Sequence, residues 1–378
     1  MIERTLFSED HEHFRRVAHR FLEREVTPNH LRWEEQGYVD RAIWKKAGNA
    51  GLLCPTIPEP YGTGVEDVRF AVVVLEEQAI AGATGLGWAI HSEVVAPYIR
   101  DHGSDDQKSH YLPRMVSGDM VAAMAMTESS GGSDLKSIRT SAVKDGDLYV
   151  LNGSKTFISN GWHCDIALVA AKTDMHGGAK GISLFLVESS MDGFHKGAPL
   201  KKVGFHAQDT SELFFDNVVV SAGNLLGNEG QGFALLMQHL SWERLLAAVA
   251  AIAGAESALK ATVAYARERK LFDQTLLSFQ STRFTLAGLK SEIQIGRVFV
   301  DRCIELSLEH QLDAATASMA KYWCVELQFK VLDACIQLHG GYGYMQEYQI
   351  ARSWADAGIQ RLAGGPNELM KELIARSL

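Results

Sequence analysis

The sequence predicts an α+β protein of three successive domains: a helical one over residues 1–120, an antiparallel β-barrel or sandwich over 121–230, and a helical bundle over 231–378. Three observations carry this reading. Apolar residues recur at helical spacing up to about residue 117, then at a period of two, then at helical spacing again in long proline-free runs. Strands that follow one another with no helix between them pair antiparallel. The absence of any βαβ alternation excludes a Rossmann fold, and "GGYGYM" and "GLGW" follow no strand and are not dinucleotide fingerprints.

In the first region Phe14, Val17, Phe21 and Leu22 mark one apolar helix face, and Phe70, Val73, Val74 and Glu77 begin another helix. Between them Pro55, Pro58, Pro60, Gly62 and Gly64 predict a long loop. In the second, Asp145-Gly146 and Asn152-Gly153 read as hairpin turns, and "IALVAAKT", "GISLFLVE" and "SELFFDNVVV" add strands. In the third, runs over 232–270, 279–310 and 314–339, with shorter pieces at 346–362 and 367–378, predict a bundle of about four helices.

Composition narrows the function. A chain of 378 residues with 46% hydrophobic content buries a large core. A net charge of −9 with no basic run argues against a nucleic-acid partner. Five cysteines with no C-x-x-C pair fit a reducing compartment and argue against a disulfide framework or a structural zinc. The histidines at 11, 13, 91, 102 and 110 lack metal-ligand spacing, so no metal is expected. No apolar run approaches the ~18 residues that cross a bilayer. The charged start "MIERTLFSEDHEHF" is not a secretory signal, so a soluble cytoplasmic protein, or one with its leader removed, is expected.

Several stretches are candidates for chemistry. "AMAMTESSGGSD" (123–134) leaves N–H groups and hydroxyls free for carbonyl or phosphate oxygens, or is an ordinary polar hairpin loop. In "SKTFISN" (154–160), Phe157 could stack on a flat ring while Ser159 donates to a ring nitrogen; equally, Phe157 is core and Ser159 surface. "HLSWERLLAA" sets Glu243 and Arg244 in a strongly apolar helix, where a carboxylate must be paired, protonated or functional; the plainer alternative is an ion pair at the bundle surface. "ARERK", with Phe272 and Gln280 beyond it, could hold phosphate or be a solvated helix end. "QLHGGYGYM" reads as an ordinary helix C-cap, with Gln337 and His339 beside a glycine pair.

"RLAGGPNELMKELIAR" (361–376) poses the sharpest question. Gly364 and Gly365 present bare backbone, Pro366 suits a helix start, and Asn367 has a side chain able to cap it. The turn contains no carboxylate, histidine or thiol, so any reactive group must come from elsewhere in the chain.

Together and in order, "AMTESSGGSD", "LNGSKTFISNG", "AQDTSELFFDNVVV", "NLLGNEGQGF", "ERLLAA", "AKYWCVELQ", "QLHGGYGYM" and "NELMKELIAR" resemble the acyl-CoA dehydrogenase family over essentially the whole chain, and its long-chain branch most. The resemblance implies a helical N-terminal domain, a middle β-barrel, a C-terminal four-helix bundle, and a homotetramer or dimer. It also implies FAD bound non-covalently between barrel and bundle. On the family pattern Met126, Thr127 and Ser133 line the flavin or the thioester, and Phe157, Ile158 and Ser159 flank the isoalloxazine. Arg269, Phe272, Gln280 and the turn Gln337, Leu338, His339, Gly340 and Gly341 hold the adenine diphosphate of a neighbouring subunit's FAD. Pro366, Asn367 and Glu368 meet the cofactor again. Ser133, Ser241, Arg244, Gly364 and Gly365 fall on the substrate side.

Medium- and short-chain members carry their catalytic glutamate where this sequence has Gly364. The long-chain branch places it in the motif read here as "WERLL", at Glu243, and Gly364 would then remove a colliding side chain. The resemblance implies that Glu243 takes the α-hydrogen of an acyl-CoA while the β-hydrogen leaves as hydride to flavin N5. A backbone N–H in the Gly364 turn would bind the thioester oxygen, and an electron-transfer flavoprotein would accept the electrons. Ser129 and Ser130, Leu271 and Asp273, and Pro366 depart from the usual residues. Glycines 85 and 87 are expected to leave room at the base of the acyl pocket, which Leu86 would shorten. A flavin oxidase or monooxygenase on the same fold, and a non-catalytic scaffold, are the competing classes.

Overall fold

A computed structural model describes residues 2–62 and 66–378. Of the proline-rich loop, Gly64 therefore lies outside the described residues. Helices α1 (Glu9–Phe21), α2 (Thr27–Gln36), α3 (Arg41–Asn49), α4 (Val68–Ala81), α5 (Ala96–His102) and α6 (Asp105–Val116) form the first region. Single π-helical turns lead from α1 into α2 and, at Ile90–Val95, into α5. The face of Phe14, Phe21 and Leu22 packs with Trp33, Trp44 and Trp88 in one apolar cluster.

The middle region holds β1 (Ala122–Ala125), β2 (Ser141–Asp145), β3 (Leu148–Ser159), β4 (Ile166–Lys172), β5 (Ile182–Glu188), β6 (Phe194–Lys196), β7 (Thr210–Ser221) and β8 (Leu225–Leu226). The strand order is β6-β7-β3-β2-β4-β5-β8, with β1 beside β4. Most pairs are antiparallel, as expected. β1–β4 and the short β2–β4 contact run parallel, because a crossover rather than a hairpin joins those strands. Inward-facing Tyr149, Leu151, Val169, Phe185, Leu213 and Phe215 fill the core under the sheet.

A hairpin turn follows Asp145 as the dipeptide predicts, its two loop residues being Gly146, at φ +60°, and Asp147. Asn152-Gly153 is no such turn. It lies inside the twelve-residue β3, at a bulge opposite β7. There Asn152 Oδ1 accepts the Asn217 N–H at 2.9 Å, and a Cβ at Gly153 would meet Thr140 at 2.6 Å. The glycine serves close approach within a strand rather than chain reversal.

The last region comprises α7 (Gly232–Glu268), the small hairpin β9 (Lys270–Leu271) and β10 (Gln274–Thr275), α8 (Gln280–Leu308), α9 (Ala314–His339), α10 (Gln349–Gln360) and α11 (Asn367–Ala375). By length and composition α7 could cross a membrane, which corrects the expectation that no run approaches that length. Its apolar surface is accounted for otherwise: Leu245, Ala248, Val249 and Ile252 are buried in the main core with Cys324, Val325 and Val331 of α9.

Glycines 85 and 87 do not open a pocket, contrary to expectation. A Cβ at Gly85 would strike Ala207 at 2.3 Å, and one at Gly87 would strike Asn160 at 2.0 Å. They let the helical region sit against the sheet, where Asn160 donates to the Gly87 and Ala122 carbonyls at 2.9 and 3.2 Å. Leu86 is core.

Candidate active site

Glu243 sits part-way along α7, facing α5. The Tyr98 hydroxyl donates to its Oε1 at 3.1 Å. Burial pushes the Glu243 carboxyl up to about 7, with the Tyr98 hydrogen bond and the charge of Arg244 opposing that rise. No ion pair joins Glu243 to Arg244 among the described residues, so the surface-pair alternative is set aside. Arg244 is itself buried, its Nε has no hydrogen-bond partner among the described residues, and burial pulls its guanidinium below the usual arginine range. Ser241, one helical step away, is half-buried with its hydroxyl unpartnered among the described residues.

The 361–367 turn is built from α9. Lys321, fully buried, donates from Nζ to the Gly365 carbonyl at 2.8 Å and to Asn367 Oδ1 at 2.9 Å. Asn367 Nδ2 donates to Glu326 Oε1 at 2.8 Å. Asn367 is therefore not the helix cap that its chemistry suggests: Pro366 occupies that position, and the Asn367 amide is spent on tethering the turn to α9. Burial lowers Lys321 to about 8, with Glu368 and Glu326 opposing and Arg244 reinforcing.

Gly364 and Gly365 adopt φ +63° and +90°. A Cβ at Gly364 would meet nothing within 4 Å. A Cβ alone therefore meets no clash here, and what the structure shows at this glycine is its left-handed backbone.

On the sheet side, Met126 and Thr127 follow β1, and their carbonyls are engaged by Lys155 Nζ at 3.0 Å and the Thr156 N–H at 2.9 Å. Lys155 also pairs with Glu128 at 2.8 Å, both side chains buried; burial lowers Lys155 to about 8, and Glu128 opposes. The hydroxyls of Thr127, Ser133 and Ser159 make no hydrogen bond among the described residues, which leaves them for a ligand.

Phe157 is 68% exposed at φ +59°, on a bulge of β3 between Lys155 and Ile158. A bulky residue rarely adopts that backbone, so the exposed ring is held out by the strand around it. The Ile158 side chain is buried in the sheet core, so it is the backbone of Ile158 that is left to flank a cofactor.

At the far end of α7 a pocket of about 600 Å³ brings Arg269 together with Gln337, Leu338, His339, Gly340 and Gly341. His339 is buried, stacks on Tyr265 at 4.2 Å and donates from Nδ1 to the Cys335 carbonyl at 2.8 Å, which fixes the turn rather than the ligand. Gly340, at φ +61°, and Gly341 have open space where a Cβ would stand. Phe272 and Gln280 do not line this pocket. Phe272 is 88% exposed at the β9–β10 tip, where Phe272 and Asp273 both take positive φ, a turn that favours glycine or asparagine. Glu368, in the first turn of α11, contributes charge to Lys321.

Sequence reasoning missed Tyr98 and the paired lysines Lys155 and Lys321. The only available signal for Lys321 was a lone cation in the apolar run "ASMAKYWCVELQ".

Family models for the acyl-CoA dehydrogenase N-terminal, middle and C-terminal domains match residues 8–119, 123–218 and 230–378. The chain belongs to the acyl-CoA dehydrogenase family, whose members are FAD-dependent, and is an oxidoreductase acting on acyl-CoA. It is 48% identical over 377 residues to the mitochondrial long-chain specific acyl-CoA dehydrogenase of Sus scrofa, covering 99% of this chain and 88% of that one. An acyl-CoA dehydrogenase crystal structure from Geobacillus kaustophilus superposes with TM-score 0.97 at 44% identity over 99% of both chains. A glutaryl-CoA dehydrogenase from Mycobacterium smegmatis in complex with FADH2 superposes with TM-score 0.92 at 27% identity, covering 98% of this chain and 95% of that one.

Proposed function

We propose that this chain binds FAD and dehydrogenates a long-chain acyl-CoA to the 2-enoyl-CoA, with Glu243 as the base. The observation that carries the reading is a carboxyl on an apolar helix, hydrogen-bonded by Tyr98 at 3.1 Å and pushed up to about 7 by burial, while the glycine turn supplies no base of its own. A base tuned near working pH is what abstraction of a weakly acidic α-proton requires.

The residues fit FAD. Exposed, strained Phe157 suits the face of a flat ring, the free hydroxyls of Thr127 and Ser159 suit its edge, and Arg269 beside the Gly340-Gly341 backbone suits a diphosphate. FAD, when bound, supplies the acceptor for the β-hydride. Ionised Glu243 takes the α-proton. Peptide N–H groups of the turn at Gly364 and Gly365 donate to the thioester oxygen as negative charge grows there. Lys321, holding the Gly365 carbonyl, keeps those N–H groups aimed. Arg244 and Ser241 shape the thioester side of α7. The long-chain preference rests on likeness to the Sus scrofa enzyme. Family membership also supports an electron-transfer flavoprotein as electron acceptor and a homotetramer.

The test is spectroscopic. Purified protein is expected to be yellow, and anaerobic addition of saturated acyl-CoAs should bleach the flavin band, most completely with long chains. Colourless protein that takes up no FAD would overturn the reading.

A further inference from the structure

Helices α5 and α7 meet through two rungs of polar side chains. In the first, the Tyr98 hydroxyl reaches Glu243 at 3.1 Å. In the second, one helical turn along both helices, His102 Nε2 meets His239 Nε2 at 3.0 Å. The rungs are tied together, because the Tyr98 ring lies against His239 with centroids 4.1 Å apart. Tyr98 has no solvent exposure, and its phenol makes no other hydrogen bond among the described residues. Its oxygen therefore has one task.

We propose that Tyr98 is a positioning residue for Glu243, donating a hydrogen bond that fixes the carboxylate and sets the pH at which it becomes a base. This rests on the assignment of Glu243 as the base. A hydroxyl that donates to a carboxylate favours the ionised form, and burial disfavours it; the two act in opposition on one group. The His239 ring, tilted at 35° against the phenol, limits the rotation of Tyr98. Other charged or titratable groups near this contact are Arg100, Asp101 and His102 on α5 and His239 and Arg244 on α7. Burial shifts both histidines down, His239 to about 4, which favours their neutral forms. The lever on Glu243 from α5 is then the phenol.

The test compares pH profiles of kcat/KM for the FAD-loaded enzyme, with palmitoyl-CoA as probe and an artificial electron acceptor. In Tyr98→Phe the acidic limb should move up by roughly one to two pH units, the worth of a hydrogen bond to a charged group. Replacing Tyr98 by 3-fluorotyrosine keeps its shape and strengthens the donor, so the limb should move down. That second variant decides the matter if the phenylalanine variant folds poorly. An acidic limb unmoved in the fluorotyrosine enzyme overturns the proposal. Failure of the parent reading looks different: wild-type enzyme would then show no bleaching with palmitoyl-CoA, or Glu243→Gln would turn over normally.

Discussion

Lys321 Nζ, in the middle of α9, donates to the Gly365 carbonyl at 2.8 Å. One buried ammonium thus holds the turn proposed to bind the thioester oxygen, while the proposed base arrives on a different helix. The site is divided between an anchored backbone and a separate carboxyl, and each half can be perturbed alone.

Lys321→Met should loosen the turn without touching Glu243. It leaves the Gly365 carbonyl and Asn367 Oδ1 short of a donor, a cost of about 1–3 kcal/mol. The expected outcome is a lower midpoint in urea and a higher KM for acyl-CoA, with the acidic limb of the pH profile where it was. A shifted limb would show that Lys321 acts on the base instead.

Gly364→Ala separates backbone strain from a part in the reaction. The residue stands at φ +63° with open space around a built Cβ. The expected cost is about 1–2 kcal/mol of stability, from the left-handed backbone alone. Activity lost far beyond what that destabilisation explains, measured as kcat in a well-folded preparation, would show that the turn's own backbone takes part in the reaction.

The sheet side has its own buried pair. Lys155→Met strands the Glu128 carboxylate, and breaking such a pair costs about 3–5 kcal/mol. Because Lys155 also holds the Met126 carbonyl, FAD retention should fall with stability, as measured by flavin released on gel filtration. Full retention of FAD in a destabilised variant would uncouple the two.

Glu243 carries a sign that can be checked in both rate and stability. Its folded pKa lies above that of the unfolded chain, so the protonated form is the one that folding favours. That contribution is complete below the unfolded carboxyl pKa and is lost as pH rises through about 7. The rate should move the opposite way, with kcat/KM climbing with pH through an acidic limb near 7. Accordingly Glu243→Gln should stabilise the protein at pH 8, by on the order of 1–3 kcal/mol, and hardly at all at pH 4. Equal melting shifts at the two pH values would contradict the assigned pKa.

Much of this was legible in the sequence because periodicity and turn chemistry are local signals. The change from helical to alternating spacing marked the regions, and Asp145-Gly146 marked a hairpin. Asn152-Gly153 misled because the same dipeptide serves a bulge when a partner strand crowds it, which only the fold reveals. Gly85 and Gly87 misled for a similar reason: the atoms they accommodate, on Ala207 and Asn160, are more than 70 residues away in sequence. Glu243 was visible as a charge in an apolar helix. Tyr98 was not, since a tyrosine in an apolar helix looks the same whether or not a carboxylate faces it. Lys321 was hidden by the same logic, its partners lying 44 and 46 residues further on.

The central claim is that one carboxyl on α7 removes the proton. It is tested most directly by mixing FAD-loaded Glu243→Gln anaerobically with palmitoyl-CoA and following the flavin band in a stopped-flow instrument. Substrate should still bind, seen as a perturbed flavin spectrum, while bleaching slows by several orders of magnitude. Bleaching at the wild-type rate would place the base elsewhere.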